Sequence, residues 1–403
     1  MAPRMAVLWH LHQPDYRDPV TGRPRMPWVR LHALRGYRDL LVETAERAIP
    51  WTVNVVPSLL DQLDGYAAGA TDDHLDATRA PADAVEPQRI AALPSGHRAM
   101  TDRHPAYAAL RARIDAGAAL TVGERRDVQV WATLAWFGAT AIRDFPALRA
   151  AIAKGRGFGE DDKRAVLAAH DAIVASIPGW VRAVAATDGP TVSTTPYYHP
   201  ILPLLVDARA ARRAMPELPD DVAFAWPDDA RRQLREARAR VGALTGAAPI
   251  GLWPSEGSVS PEVVALAGEA GFRWLATDRG VLDRSARTGP VGASGPWDLG
   301  HGVVGWFRDT ELSDRIGFRY ASMPAEAAAA DLVAEAIRRA GDGVLLIALD
   351  GENPWEAFPD AGGAFRAAVL AEAGRAGHAR RQRLLVGARE VVDPRLAHEG
   401  LEP

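Results

Sequence analysis

The amino-acid sequence predicts an α/β fold in which parallel strands form a TIM-type barrel, one strand short of the usual eight. Three observations indicate this fold. Short apolar runs recur along the 403 residues, helical patterns separate several of these runs, and polar or aromatic residues follow where the runs end. Apolar runs that do not alternate with polar residues are typical of strands buried on both faces, as in parallel sheets. A hydrophobic content of 48% is sufficient for such a core.

Seven short runs are predicted to be strands because they are rich in β-branched, aromatic and aliphatic residues. They are Met5–Trp9, Trp51–Val56, Thr191–Thr194, Ile250–Trp253, Arg273–Ala276, Val303–Phe307 and Val344–Leu349. The interval from residue 250 to residue 277 fits a strand, a helix and a second strand, and so compact a unit favours parallel pairing. The carboxyl ends of the strands are then expected at one rim of the barrel, where such barrels carry their active sites.

Two of the intervening helices have clear start and stop signals. Ser260 is a good N-cap before the predicted helix Pro261–Ala270, and Gly271 is a suitable stop. Pro324–Ala340 shows the same pattern, with an acidic residue in its first turn, two arginines in its last turn and Gly341 after it.

Two segments are additional to the strands and helices of a minimal barrel. Residues 58–186 form a long Ala- and Arg-rich insertion, which we expect to be mostly helical and to belong to a catalytic barrel domain of residues 1–360. Residues 361–403 are expected to form a helical C-terminal tail that packs on the barrel. The basic stretch Arg375–Arg383 in this tail is interpreted as a solvent-exposed helix face.

The composition argues against several classes of function. A net charge of −4 and a pI near 6.3 disfavour a nucleic-acid partner and a membrane-surface protein. Without cysteine there is no disulfide, thiolate metal site or cysteine nucleophile. The N-terminus becomes polar too early for a signal peptide, and no apolar run reaches about 18 residues, so we expect a cytoplasmic protein. The sequence lacks a P-loop, a dinucleotide-binding glycine loop and an HExxH motif, and no cofactor is expected.

Glu256 and Asp350 are candidate catalytic carboxylates. Glu256, in GLWPSEGSVS, follows a strand and precedes a capped helix, whose N-terminus favours the ionised carboxylate. Asp350, in IALDGENPWE, ends the last strand in the same way. Two carboxylates that converge from different strands can hydrolyse a glycosidic bond, one attacking or stabilising C1 of the sugar and the other transferring a proton. The alternative for each residue is a helix cap or an ion pair.

Aromatic side chains near the strand ends fit a carbohydrate ligand, because the apolar C–H faces of sugars pack on flat rings. Trp28, Tyr198, Trp253 and Trp355 are candidates for this role, with core packing as the alternative. Trp306 is flanked by apolar residues and is expected in the core.

His10 and His12 lie two residues apart after the first strand and are therefore expected on one side of it. Both imidazoles could bind one metal ion, as in metal-dependent amidohydrolase barrels. Such sites also need a carboxylated lysine, and the two lysines of this chain, Lys154 and Lys163, follow no strand-like run. Hydrogen bonding to substrate hydroxyls or to a neighbouring carboxylate is the favoured interpretation, and no metal is expected.

The segments that carry these candidate residues resemble conserved regions of glycoside hydrolase family 57. LWHLHQPDYRDPVTGRPRMPWVRLHALRGY is similar to the first conserved region of the family, and STTPYYHPILPLL is similar to the second. GLWPSEGSVSPEVVALAGEAGFRWLATDRGVL is similar to the third region with its flanks, and LDGENPWE resembles the fourth. WFRDTELSDRIGF is similar to a stretch typical of amylopullulanase-like and α-amylase-like members. Together the motifs cover residues 5–66, 191–205 and 250–360.

The resemblance implies a (β/α)7 barrel followed by helices, and an enzyme that acts on α-glucans with retention of anomeric configuration. Glu256 then matches the family nucleophile, and Asp350 matches its general acid/base. In a retaining enzyme the two carboxyl groups are expected to be about 5–5.5 Å apart. The pKa of Asp350 is expected to be raised. Arg308 or a histidine is expected to keep Glu256 ionised. The candidate substrate-binding residues are His10, His12, Gln13, Trp28, Tyr198, His199, Trp253, Asp278, Arg308 and Trp355.

Two features depart from the family pattern. Thr191 stands where the second region usually has a glutamate, and the aromatic-rich fifth region has no counterpart after residue 360. We expect a retaining hydrolase of α-1,4 bonds, with α-1,6 bonds as a further option. The alternatives are an α-glucan transglycosylase of the 4-α-glucanotransferase or branching type, a catalytically impaired glycan-binding homologue and, as the least favoured, a metal-dependent hydrolase.

Overall fold

A computed structural model of the chain describes residues 3–219, 223–285, 294–358 and 360–380. Seven parallel strands close into a barrel in the order β5-β4-β3-β2-β1-β8-β7, and the pairing of β5 with β7 completes the ring. The strands are β1 (Arg4–Leu11), β2 (Thr52–Val55), β3 (Thr191–Thr194), β4 (Gly251–Leu252), β5 (Trp274–Asp278), β6 (Trp297–Asp298), β7 (Val304–Arg308) and β8 (Val344–Asp350). The seven predicted strands are confirmed. The short β6, which pairs antiparallel to β7 outside the ring, was not predicted.

Helices surround the barrel and form the long insertion between β2 and β3. The first group is α1 (Trp28–His32), a π-helical turn (Ala33–Tyr37), α2 (Arg38–Glu46), α3 (Pro57–Ala67), α4 (Asp73–Arg79), α5 (Pro87–Ala91), α6 (Arg98–Asp102), α7 (Pro105–Asp115), α8 (Val122–Leu134), α9 (Ala139–Asp144), α10 (Pro146–Lys154) and α11 (Glu160–Ala186). Most of the segment expected to be a helical insertion is therefore helix.

The second half of the chain supplies the remaining helices. They are α12 (Leu202–Val206), α13 (Ala211–Ala214), α14 (Pro227–Thr245), α15 (Pro261–Glu269), α16 (Arg279–Ser285), α17 (Thr310–Phe318), α18 (Ala325–Ala340) and α19 (Gly363–Arg380). The predicted helices Pro261–Ala270 and Pro324–Ala340 correspond to α15 and α18. Helix α19 packs against α18. The rest of the predicted tail, residues 381–403, lies outside the described residues.

Alternation along the strands separates the barrel interior from its outer face. Ala6 and Leu8 of β1 belong to a buried cluster shared with side chains of β5, β7 and β8, among them Trp306, which is core as expected. Met5 and Val7 belong instead to the large cluster between the strands and the helices. His10 continues the inward series of β1 and therefore points into the mouth of the barrel. Asp350 does the same on β8.

Helix α1, which carries Trp28, is held to the insertion by a buried ion pair. Arg30 donates two hydrogen bonds to the Asp72 carboxylate, with its Nε 2.6 Å from Oδ2 and its Nη2 3.1 Å from Oδ1. Asp72 also accepts hydrogen bonds from the Tyr66 hydroxyl and from two backbone amides at the start of α4. The side chains of Arg30 and Asp72 are 3% and 0% exposed. None of the helices within the described ranges is long and apolar enough to cross a membrane.

We expect Asp72→Ala to lower the free energy of unfolding by about 3–5 kcal/mol, because it leaves the Arg30 charge buried without its partner. Urea unfolding followed by tryptophan fluorescence measures this loss. Asp73→Ala is the matched control, since Asp73 pairs with Arg23 at the surface, where such pairs contribute about 0–1 kcal/mol. Equal losses in the two variants would contradict the anchoring role of the buried pair.

Candidate active site

A pocket of about 1480 Å³ opens at the carboxyl ends of the barrel strands. This volume exceeds the roughly 300–1,000 Å³ of sites for small ligands and has room for several sugar units. Nine of the twelve residues predicted from the sequence line it: His10, His12, Gln13, Trp28, Trp253, Glu256, Asp278, Arg308 and Asp350. His199 lies against two of these residues, whereas Tyr198 and Trp355 lie elsewhere.

Glu256 sits on a tight 3-10 turn directly after β4. Its backbone is in the left-handed region, with φ 55° and ψ 21°, which is unusual for a residue with a side chain. The Thr277 hydroxyl donates to the Gly257 carbonyl and ties this turn to β5. The Glu256 side chain is 73% exposed to the pocket and solvent. Strained backbone held by surrounding structure is a feature of functional positions, and here it projects a carboxylate into the barrel mouth.

Asp350 reaches the same pocket from the other side of the ring. Around the ring, three strand pairings separate β8 from β4 in the direction through β7 and β5. Four pairings separate them in the direction through β1, β2 and β3. The last residue of β8 pairs with His10 in the β1–β8 register, and the Gly351 amide donates to the His10 carbonyl at 2.8 Å. The Asn353 amide group donates to Asp350 Oδ2 at 3.0 Å. Glu256 and Asp350 therefore enter one pocket from opposite walls.

A cluster of three histidines neighbours both carboxylates. The ring centroids of His12 and His199 are 4.1 Å apart, and those of His10 and His199 are 5.0 Å apart. His199 Nδ1 is 3.9 Å from Glu256 Oε1. His199 also has a positive φ, 57°, so two strained residues face each other in the site.

Burial lowers the pKa of all three imidazoles. It brings the pKa of His10 to about 4 against the opposing effect of its Asn54 hydrogen bond. It brings the pKa of His12 to about 4, with help from His10 and against the charge of Asp350. Burial and the two neighbouring histidines lower the pKa of His199 to about 2. The cluster is therefore uncharged at neutral pH, and Glu256 faces a neutral ring.

Arg308 pairs with Asp278 across neighbouring strands. Arg308 Nε donates to Asp278 Oδ2 at 2.8 Å, and the Thr310 hydroxyl donates to the same oxygen at 2.9 Å. Burial acts to raise the pKa of Asp278, but hydrogen bonds from the Gly280 amide, Arg308 and Thr310 bring it below its ordinary value. The pair offers fixed charges to the pocket. Of the two groups expected to keep Glu256 ionised, Arg308 pairs with Asp278. A histidine, His199, lies beside Glu256, but its ring is neutral and supplies no positive charge.

Trp355 is not on the pocket wall, which corrects the expectation that it contacts a substrate. Its ring is fully buried, 5.3 Å from the Trp9 ring between centroids, and the Arg366 guanidinium lies 4.8 Å from it. The 3-10 turn Asn353–Glu356 turns this ring into the core. Tyr198 is also outside the pocket lining. It is 53% exposed, and its ring lies beside that of Tyr197.

Glu352 was missed by the sequence analysis. It is 3% exposed beneath the pocket, and Gln13 Nε2 donates to its Oε1 at 3.3 Å. The Tyr16 hydroxyl in turn donates to Gln13 Oε1 at 3.0 Å. Burial, reinforced by the charge of Asp350, raises the pKa of Glu352 well above its ordinary value. The sequence placed this carboxyl two residues after Asp350 but gave no sign of its burial.

Two aromatic residues of the pocket were also missed. Trp136, from the insertion, packs beside Trp28 with ring centroids 6.3 Å apart. Phe318, at the end of α17, lines the rim and is 90% exposed. Phe318 closes a motif noted in the sequence, but its position at the pocket depends on where α17 ends, which the motif does not specify.

Thr191, which replaces a glutamate of the family pattern, lies away from the pocket. It begins β3, and its hydroxyl oxygen is 3.0 Å from that of Thr52 on β2. The pocket opens at the other end of β3, beyond Thr194. Thr191 therefore contributes to the contact between β2 and β3.

Comparisons with known proteins agree with this architecture. A sequence profile described as glycosyl hydrolase family 57 matches residues 6–375. No curated protein matches the chain significantly.

Several solved structures have the same fold. One is a family 57-type branching enzyme from the hyperthermophilic archaeon Pyrococcus horikoshii, 16% identical, with a TM-score of 0.57 over 99% of this chain and 72% of the other. Another is the α-amylase AmyC from Thermotoga maritima, 13% identical, with a TM-score of 0.59 over 100% of this chain and 76% of the other. A third is a 4-α-glucanotransferase from Thermococcus litoralis, 15% identical, with a TM-score of 0.51 over 100% of this chain and 42% of the other. At these identities the likeness establishes the fold alone.

We expect Gly351→Ala to disturb the segment that carries Asp350 and to lower the free energy of unfolding by about 1–3 kcal/mol. A Cβ at this position would overlap Leu11 Cδ2 and lie 3.1 Å from Leu40 Cδ1. Gly179→Ala in α11 is the control, because its Cβ meets open space and alanine favours the helix by up to about 1 kcal/mol. Urea unfolding of both variants tests the difference, and a Gly351→Ala protein as stable as the control would contradict it.

Proposed function

Because the chain belongs to glycosyl hydrolase family 57, we propose that it is a retaining α-glucan hydrolase in which Glu256 is the nucleophile and Asp350 is the general acid/base. The observation that carries the proposal is the entry of these two carboxylates into one large pocket from opposite walls of the barrel. Retaining glycosidases need this arrangement, with the sugar ring between the two groups. The α-1,4 bond is the proposed target, and α-1,6 bonds are the further option.

In the first step, the Glu256 carboxylate attacks C1 of the sugar while Asp350 transfers its proton to the glycosidic oxygen. The bond to the leaving glucan breaks, and a glycosyl ester forms on Glu256. In the second step, Asp350 removes a proton from water, which attacks C1 and releases Glu256 as a carboxylate. The exposed Glu256 side chain and its rigid turn support the role of a nucleophile.

The walls of the pocket support an α-glucan as the substrate. Trp28, Trp253 and the exposed Phe318 offer ring faces for the C–H faces of glucose units. The histidine cluster offers nitrogen atoms to sugar hydroxyls, and the Asp278–Arg308 pair offers both a donor and an acceptor. The role of Gln13 is to hold Glu352 in place beside Asp350 while it faces the pocket.

A transglycosylase is the second candidate. Phe318 favours it, because an exposed ring at the rim can hold a second glucan as acceptor close to the glycosyl ester. Two of the similar structures are a branching enzyme and a 4-α-glucanotransferase, so the fold accommodates transfer. The two candidates share the first chemical step and differ in whether water or a sugar receives the glycosyl group.

Incubation with maltoheptaose separates the candidates. We expect chromatography to show only shorter maltooligosaccharides, because the open pocket admits water to the glycosyl ester. Products longer than maltoheptaose would favour the transferase. Measurable affinity for the sugar without turnover would contradict both and favour a glycan-binding protein.

Glu256→Gln is expected to lower kcat by about 10⁴-fold or more, because the amide cannot form the glycosyl ester. Glu269→Gln is the control, since Glu269 lies on α15 and pairs with Arg231 at the surface. Steady-state hydrolysis of maltoheptaose measures both. Turnover of Glu256→Gln within tenfold of the control would remove Glu256 from the nucleophile role.

Asp350→Asn is expected to lower the rate by about 10²–10⁴-fold on maltoheptaose, the range of general acid–base catalysis. An aryl glucoside with a good leaving group needs less help from an acid in the first step, so its glycosylation rate should fall much less. Pre-steady-state release of the aryl group measures that step. Equal losses on both substrates would argue against Asp350 as the general acid.

A further inference from the structure

The three histidines at the floor of the pocket form a cluster with properties that go beyond contact with a sugar. One nitrogen from each of His10, His12 and His199 lies within 4.8 Å of one nitrogen from each of the others. His10 Nε2 and His199 Nε2 are buried and have no hydrogen-bond partner among the described residues. Buried polar atoms without partners are rare in folded proteins and indicate a ligand or a functional role.

Asn54 determines which nitrogen of His10 carries the proton. The Asn54 amide nitrogen donates to the Thr194 carbonyl at 2.7 Å and to the Ser193 hydroxyl at 3.0 Å. A carbonyl only accepts, so the amide oxygen of Asn54 is the atom that faces His10 Nδ1, at 2.7 Å. Nδ1 is therefore protonated, and the lone pair of His10 is on Nε2. An imidazole whose N–H is held in this way presents its other nitrogen as metal-binding histidines do.

We propose that His10, His12 and His199 form a binding site for one divalent transition-metal ion, for which Zn²⁺ is the best match. Zinc takes three imidazole nitrogens at about 2.0–2.1 Å, which places the nitrogens about 3.4 Å from one another in a tetrahedron. The three nitrogens lie within 4.8 Å of one another, so binding of the ion requires the His12 and His199 rings to turn towards it. The fourth position then faces the pocket and holds water.

The surroundings of the cluster favour a cation. Glu256 Oε1 lies 3.9 Å from His199 Nδ1, and Asp350 pairs with His10 in the strand register. The ligand set consists of nitrogen with nearby carboxylate oxygen, which suits Zn²⁺ rather than Ca²⁺ or Mg²⁺. The histidine pair was already visible in the sequence. The third ligand comes from beyond β3 rather than from a carboxylated lysine, and only the fold shows this.

The position of the metal also affects catalysis, and this part of the inference rests on the proposed function. A metal ion on these nitrogens removes the acceptors that the sugar hydroxyls would use and draws the Glu256 carboxylate towards itself. Zinc and α-glucan therefore compete, and zinc is a reversible inhibitor of hydrolysis.

Zinc binding is measured on the chelator-treated full-length protein. We expect one Zn²⁺ to remain per chain after gel filtration, measured by atomic emission, with an affinity obtained by competition against a chromophoric chelator. Cobalt in the same site is expected to give the intense visible absorption of a four-coordinate ion. A protein that retains no Zn²⁺, or whose Co²⁺ spectrum is that of the hexa-aquo ion, would overturn the proposal.

Variants test whether the metal lies on the cluster. His10→Gln, His12→Gln and His199→Gln are each expected to weaken Zn²⁺ binding at least about 100-fold, and Asn54→Leu about 10- to 100-fold through the orientation of His10. His74→Gln, far along the chain on α4, is the control and is expected to bind as the parent does. Circular dichroism confirms that each variant is folded. Unchanged affinity in folded His12→Gln and His199→Gln would place the metal elsewhere and overturn the site.

Saturating maltoheptaose tests the competition. We expect the apparent Kd for Zn²⁺ to rise with the sugar concentration, and Zn²⁺ to raise KM without lowering kcat. Zinc binding that is unaffected by bound sugar would overturn the competition. A protein that binds zinc but does not hydrolyse maltoheptaose would contradict the proposed function without contradicting the metal site.

Discussion

The parallel register of β1 with its two neighbours places His10 opposite Asp350 on one side and opposite Asn54 on the other. The next pairing sets Asn54 opposite Ser193 on β3, so four polar residues form one layer at the mouth of the barrel. Because side chains alternate along a strand, a slip of one residue would turn His10 and Asp350 away from the pocket and bring apolar side chains into it. The chemistry of the site depends on this register, which the closed ring of strands and its packed interior fix.

Two carboxylates in the site have very different surroundings. Glu256 stands on a strained turn, largely exposed, beside a neutral histidine. Glu352 is enclosed beneath the pocket, and burial raises its pKa well above the ordinary value. Asp350 lies between these extremes, with Asn353 as a hydrogen-bond donor. The exposed Glu256, unlike the buried Glu352, is suited to the attack on carbon that we propose for it, and proton transfer stays with Asp350.

The sequence was sufficient for the seven strands of the barrel and for most of the residues at their ends, because buried parallel strands leave an apolar run and a polar terminus in the chain. It was not sufficient where position depends on packing. Trp355 lies within the fourth conserved region, as a binding residue would, yet its ring faces the core and Arg366. Neither the position of Phe318 at the pocket nor the burial of Glu352 produces a periodic pattern in the sequence. The contact between His199 and His10 forms only when the chain folds. Contacts between distant segments are set by closure of the barrel, and no local pattern encodes them.

Covalent trapping shows whether Glu256 is the residue that attacks the sugar. A fluorinated α-glucosyl fluoride reacts with a retaining enzyme and leaves a long-lived glycosyl ester on the nucleophile. After proteolysis, mass spectrometry is expected to find the added hexose on the peptide that carries Glu256, and on that residue within it. An adduct on Asp350, Glu352 or another carboxylate, or turnover of α-glucan with no adduct at all, would contradict attack by Glu256.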